Sequence, residues 1–344
     1  MKSINQFAHG GNIKAFSKKI ACKKKDIIDL SSNINFIKPK IKNNLNKLEI
    51  SEYPTYEKLY KIISKTYSVK ASEIEIFNGG SSAIFTFFKH LDLNHCTIYS
   101  PAYLEYKKAA KIFDYKLDLI NRFDNINKEI KENSLVIFVN PSTPEGKYYD
   151  LKKLIKSWIK KNATILIDES FLDFTDKESV IKYLKEYDKL YILKSMTKFY
   201  SSASIRVGIL ISSENNIRKL KEKEPLWKIS HFDSIYLQNA LKDKKFNEET
   251  KKITSNIKDD LIDKLKRYNF IEKVYKSDTN FLMIKLNKLS AHRLENELIK
   301  YKIMIRDCSN FDFLDDKYVR IAIKEKAKMK ILIKAFEKIE KRYK

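Results

Sequence analysis

Residues 190–212 read LYILKSMTKFYSSASIRVGILIS. Two largely apolar runs, KLYILKS and RVGILIS, bracket a polar segment that carries one lysine, Lys198, and one arginine, Arg206. Apolar runs that do not alternate with polar residues suit strands covered on both faces. The polar segment then falls where one strand has ended and the next has not begun. In open α/β sheets that is where ligands sit.

The pattern extends upstream to about residue 55. YEKLYKIISKTY has helical spacing, IEIF reads as a strand and SSAIFTFFKHL as a helix, followed by the strands TIYS, LVIFVN and TILIDES. Such alternation predicts an α/β fold with a mostly parallel sheet covered by helices. Residues 213–260 are charged and helical in spacing. Beyond them NFLMIKL, IMIRDC and YVRIAI read as strands, with AHRLENELIKY and the lysine-rich terminus as helices, a smaller α+β domain. The expected division is an arm over residues 1–35 that contributes to the small domain and substrate site, a large domain over 36–235 and a small domain over 236–344.

Length and composition fit a folded enzyme-sized chain: 344 residues, 43% hydrophobic and 12% aromatic. No apolar run reaches the roughly 20 residues that span a bilayer, and the first residues lack a signal-like apolar core, so a cytoplasmic protein is expected. Cys22, Cys96 and Cys308 are scattered, and the five histidines show no metal-ligand spacing. A net charge of +25 raises the possibility of a nucleic-acid-binding protein. The lysines, however, interleave with acids, as in KEKEPLWK and FEKIEKRYK, which describes a solvated surface rather than a binding stripe.

Four strand ends carry candidate chemistry. IFNGGSSAIF places Asn78, Gly79, Gly80, Ser81 and Ser82 between a strand and a helix, where N–H groups and hydroxyls can hold a phosphate. VIFVNPSTPEG ends a strand at Asn140. TILIDES ends another at Asp168 and Glu169, acidic groups at a site of expected burial that need partners. Ser195, Thr197, Lys198 and Arg206 follow the third. Ser81, Ser195 and Arg206 could meet one phosphate, with Asp168 and Lys198 facing the ring that bears it.

Together NGGSS, PAY, NPSTPEG, DESF and SMTK with its following arginine resemble the class I/II aminotransferase group of fold-type-I pyridoxal phosphate enzymes. HGGN at 9–12, SSNIN at 31–35 and IRDCSNF at 305–311 are similar to the threonine-phosphate decarboxylase branch, which is related to the histidinol-phosphate aminotransferases. The resemblance implies pyridoxal 5'-phosphate as cofactor and Lys198 as the amine that takes its aldehyde. Asp168 is implied to hold the pyridine nitrogen protonated, Asn140 to reach the phenolic oxygen and substrate, and Tyr103 to stack on the ring. Gly80, Ser81, Ser195 and Arg206 are implied to bind the cofactor phosphate. Tyr53 resembles a tyrosine that reaches the phosphate in a neighbouring subunit; the segment after it is about two residues shorter than the family's usual form, which leaves Tyr56 as the alternative, and either tyrosine in that role implies a homodimer. Where the family often has a second tyrosine donor, this chain has Phe171.

Only eight of the 69 Lys and Arg residues are arginines. Two of them, Arg306 and Arg320, lie at the C-terminal strands, and arginine is favoured where a planar fork meets carboxylate or phosphate. The resemblance assigns the substrate α-carboxylate to Arg320, and the remainder of the substrate, phosphate included, to Arg306 with His9, Gly10 and Asn33. The implied activity is decarboxylation of a small O-phospho-L-amino acid, giving ethanolamine phosphate from serine phosphate or aminopropanol phosphate from threonine phosphate. A composition typical of an AT-rich, small genome tips the expectation toward serine phosphate. Transamination of a phosphorylated substrate such as histidinol phosphate is the alternative, and a basic nucleic-acid-binding protein the non-enzymatic one.

Overall fold

A computed structural model describes residues 10–343; His9 lies outside the described residues. Its strands in chain order are β1 (Ile28–Asp29), β2 (Ile74–Asn78), β3 (His95–Ser100), β4 (Lys116–Asn121), β5 (Leu135–Val139), β6 (Thr164–Asp168), β7 (Leu190–Ser195) and β8 (Val207–Ile211). They continue with β9 (Ile271–Val274), β10 (Phe281–Leu286), β11 (Ile303–Met304), β12 (Arg306–Asp307) and β13 (Tyr318–Ala322). Seven form one sheet in the order β2-β8-β7-β6-β5-β3-β4, in which β8 alone runs antiparallel to its neighbours.

The apolar runs divide between the two faces of this sheet. Val136, Phe138, Ile165, Ile167, Ile192, Ile209 and Ile211 pack into one core, whereas Leu135, Ile137, Val139, Leu166, Leu193 and Leu210 pack into the other. Helices on both sides cover them, which explains why these strands read as continuous apolar segments. The side-chain alternation also sends consecutive polar residues at the strand ends to opposite faces. Asp168 follows Leu166 on one face; Glu169 follows Ile167 on the other.

A second sheet, β12-β13-β10-β9, is antiparallel. Leu282, Ile284, Val319 and Ile321 form its core with Leu294, Leu298, Leu332 and Phe336. The N-terminal arm joins this unit through β1, which pairs with β11, and through Ala322 N–H donating to Leu30 O at 2.8 Å. Residues 31–35 are thereby laid beside β13.

Two strands lack an apolar signal. β4 (KLDLIN) and β9 (IEKV) are sheet edges, half exposed, and their alternation is too short and too charged to mark them. IMIRDC, expected as one strand, splits at Ile305: β11 pairs with the arm and β12 with β13, so a single run serves two sheets.

Candidate active site

The carboxyl ends of β6 and β7, the amino end of the helix Gly79–His90 and residues from the arm and second sheet enclose a cavity of about 240 Å³. Of the residues expected from sequence, Gly10, Asn33, Gly80, Ser81, Tyr103, Asp168, Ser195, Lys198, Arg206, Arg306 and Arg320 all line it.

One end is shaped for an oxyanion. The helix Gly79–His90 starts directly after β2, and its N-cap, Asn78, makes no side-chain capping bond. Its first N–H groups are therefore available to an anion, with the helix dipole behind them. Gly79 has φ +81°, and a Cβ there would stand 2.5 Å from Arg206 Nη2, so glycine lets the guanidinium close on the turn. Ser81 Oγ lies 3.3 Å from Tyr103 Oη, and Ser195 Oγ lies 2.8 Å from Thr197 Oγ1.

Asp168 is buried behind the cavity. Tyr106 Oη donates to Oδ2 at 2.8 Å and Ser170 N–H to Oδ1 at 2.9 Å. Burial nevertheless raises its pKa, against those bonds and the nearby Lys198 charge. A cationic partner, such as a protonated ring nitrogen, would offset the cost of that burial. Lys198 follows β7 on a short helix, Met196–Phe199, and its pKa is lowered to about 8, chiefly by burial, then by Arg320 and Arg206, with Asp168 opposing. Its amine thus reaches the neutral, nucleophilic state far more readily than an ordinary lysine.

At the other end two arginines meet. Arg306 and Arg320 are direct cross-strand partners on β12 and β13. Arg320 Nη1 donates to Thr143 Oγ1 at 3.1 Å and Nη2 to Ser31 O at 3.0 Å, and the guanidinium lies 5.1 Å from the Phe281 ring centroid. Its Nε is buried with no partner, and burial lowers its pKa to about 10. Arg306 Nη2 donates to Asn310 Oδ1 at 2.7 Å, and Arg306 lies 5.2 Å from the Phe311 ring centroid.

Other expected residues are placed differently. Asn140 is buried but not in the cavity wall: its carboxamide closes on the Tyr149 backbone, Nδ2 donating to Tyr149 O at 3.0 Å and Oδ1 accepting from Tyr149 N–H at 2.8 Å. Tyr53 lies outside the cavity of its own chain, exposed and stacked on Trp227 at 4.0 Å. Tyr56 is buried with Oη bound to Ile229 O at 2.6 Å. Phe171 lines the cavity. Sequence reasoning missed Tyr106 and Thr143. Tyr106 is three residues after Tyr103, the helical spacing that puts both on one side, and Thr143 stands inside NPSTPEG.

Pyridoxal phosphate fits these residues: an uncapped helix end with Arg206 for its phosphate, a buried acid for its ring nitrogen, and a lysine poised to be neutral. When bound, it supplies an aldehyde for amines and a ring that accepts the electron pair released at a substrate Cα.

The aminotransferase class I and II family matches residues 25–336. The adenosylcobalamin biosynthesis bifunctional protein CobDQ of Leptospira interrogans is 28% identical over 98% of this chain, which spans only 41% of that protein. A putative threonine-phosphate decarboxylase of Caldanaerobacter subterraneus is 27% identical, covering 97% of this chain and 94% of its own length. Among solved structures, the histidinol-phosphate aminotransferase from Clostridium acetobutylicum superposes with a TM-score of 0.84 at 30% identity, over 92% of this chain and all of that one. The match runs through both sheets and every strand end that builds the cavity, so the chain belongs to the class I and II aminotransferase family, whose cofactor is pyridoxal phosphate.

Proposed function

We propose that this chain decarboxylates a small O-phospho-L-amino acid, serine phosphate or threonine phosphate, and does so as a homodimer. The observation that carries the reading is the cross-strand pair Arg306 and Arg320 at the cavity wall. Directly opposed residues of an antiparallel pair have Cα atoms about 5 Å apart, so this pair concentrates positive charge at the cavity wall and favours an anionic ligand there. A small molecule bearing a carboxylate and a phosphate supplies one anion to each arginine. Histidinol phosphate itself carries a phosphate but no carboxylate; transamination would bring the second anion with its keto acid, so the identity of the products separates the two readings.

Arg320 has the fixed geometry for the α-carboxylate, held by Thr143, Ser31 and the Phe281 ring. Clamping the carboxylate at one end and the phosphate at the other sets which Cα bond stands perpendicular to the cofactor ring, so remote binding energy selects the bond that breaks. Lys198 Nζ, with its depressed pKa, carries a proton that can be delivered to Cα after CO₂ departs.

Transamination is the second reading, supported by the 30% identity to a histidinol-phosphate aminotransferase. The test is to incubate the holoenzyme with phosphoserine, phosphothreonine and histidinol phosphate and to identify products by mass. Release of CO₂ with the corresponding phosphorylated amine supports the proposal. Amine exchange that depends on a keto acid, with no CO₂, overturns it.

The dimer reading rests on exposed apolar side chains: Tyr53 stacked on Trp227, with Leu226 next to Trp227 and Ile50 three residues before Tyr53 in sequence, Ile50 being 86% exposed. Patches of this kind mark protein contacts. Tyr53, exposed and stacked on Trp227, rather than the internally bonded Tyr56, is the tyrosine we assign to reach a partner.

A further inference from the structure

Arg122 belongs to none of the motifs above and does not line the cavity, yet it is 3% exposed and pairs with no carboxylate among the described residues. Its guanidinium lies 5.0 Å from the Phe138 ring centroid and 6.0 Å from that of Tyr149. Nη2 donates to Tyr99 O and, at 2.7 Å, to Pro101 O, while Nη1 reaches Val139 O at 3.4 Å. Nε has no partner. Burial lowers its pKa to about 10, with Tyr149 and Glu145 opposing, so it stays charged at neutral pH. An apolar side chain would fill the same volume without the cost of burying a charge. What the guanidinium adds is a rigid fork of donors.

The three carbonyls share a location. Pairing between β3 and β5 runs from Cys96–Leu135 only to Ile98–Ile137, short of both strand ends. Tyr99 lies one residue and Val139 two residues past the last paired rung, and the Arg122 guanidinium bonds a carbonyl of each strand where their pairing has ended. Val139 is followed by Asn140, whose N–H donates to Asp168 O at 2.8 Å. The Asn140 carboxamide is closed by Tyr149, whose ring faces the guanidinium, and Tyr149 Oη donates to Glu145 Oε2 at 2.7 Å. Arg122 therefore bonds the carbonyl before Asn140 and faces, across 6.0 Å, the ring of the residue that closes its side chain. An asparagine amide has two N–H donors, and Tyr149 O takes one of the two on Asn140. Pro101, the third contact, is two residues from Tyr103.

We propose that Arg122 is a positioning residue, which locks the ends of β3 and β5 beyond their last paired rung so that Asn140 aims its second amide hydrogen at the bound cofactor's phenolic oxygen. The inference rests on the reading of Asn140 as that donor, and the experiment separates the two. The visible band of the holoenzyme is titrated with pH in the parent, Asn140→Ala, Arg122→Lys and the double variant, with thermal stability measured alongside. Loss of a donor leaves more charge on the phenolic oxygen, which favours the protonated cofactor form and moves the midpoint to higher pH. Asn140→Ala is expected to move it upward, Arg122→Lys to move it in the same direction, and the double variant to go no further than Asn140→Ala alone. Arg122→Gln, which keeps two donors, takes the place of Arg122→Lys if the latter does not fold. A parental midpoint in the Arg122 variant, or additive shifts in the double, reduces Arg122 to a structural plug and overturns the proposal while Asn140 keeps its role. An unmoved midpoint in Asn140→Ala removes the reading of Asn140, and the positioning role falls with it.

Discussion

At the residue scale, Lys198 and Asp168 are a base and an acid whose pKa values burial pushes toward each other, one down and the other up. For Lys198 the neutral amine accumulates as pH rises through about 8 instead of 10.5. Cofactor uptake by the apoprotein is therefore expected to accelerate from pH 7 to 9 and then level, a profile that stopped-flow absorbance reads directly. A rate still climbing above pH 10 would mean an ordinary lysine. In Lys198→Ala the visible band and turnover should both vanish. Because this lysine's folded pKa is depressed, the unfolded chain binds more protons between about 8 and 10.5, and the group's contribution makes stability rise with pH in that window. Tyr106→Phe removes a donor from Asp168 Oδ2, which raises the carboxyl's pKa further. The variant should hold the cofactor less tightly by about 1 kcal/mol, roughly fivefold in Kd by equilibrium dialysis.

At the scale of elements, the ends of β6 and β7 are tied on the face away from the cavity by a buried ion pair. Lys194 Nζ lies 2.9 Å from Glu169 Oε2, and Ser179 Oγ and Val180 N–H also bind that carboxylate. Lys194→Met leaves Glu169 charged and buried, at a cost of about 3–5 kcal/mol, whereas adding Glu169→Gln should recover much of it. Urea unfolding of the single and double variants decides between the pair and the lysine's volume as the stabilising feature. At the neighbouring strand, Gly208 lets β8 pass the turn before the helix Gly79–His90: a Cβ there would sit 2.5 Å from Gly80 N. Since the obstacle is backbone, Gly208→Ala should cost about 1–3 kcal/mol and displace the oxyanion end of the cavity. Unchanged stability with unchanged cofactor affinity would show that the strand simply moves aside.

At the scale of the molecule, the cavity exists only where two sheets and an arm meet, and the proposed contribution of a partner subunit is tested at the exposed apolar residues near Tyr53. Trp227→Glu with Leu226→Lys is expected to convert the proposed dimer to monomer in sedimentation velocity and to weaken cofactor retention if Tyr53 reaches across. A dimer that survives both changes would place the interface elsewhere. Among the described residues no helix is long and apolar enough to cross a membrane.

Much of this was legible in one dimension. Strands buried on both faces must be apolar throughout, so β5, β6, β7 and β8 announced themselves, and chemistry at their ends had to follow them in sequence; Lys198, Asp168 and Arg206 could be named because each stands just outside such a run. Local pattern did not carry the edge strands β4 and β9, half exposed and charged, or the division of IMIRDC between two sheets. It also could not show that Tyr106 closes on Asp168, that Glu169 is answered by Lys194, or that Arg122 bridges the ends of β3 and β5. Those pairings join residues by way of the sheet order and the pleat. A strand's burial is set by its own residues, but the partner of a buried charge is set by which strand lies next to it, and only the folded chain determines that.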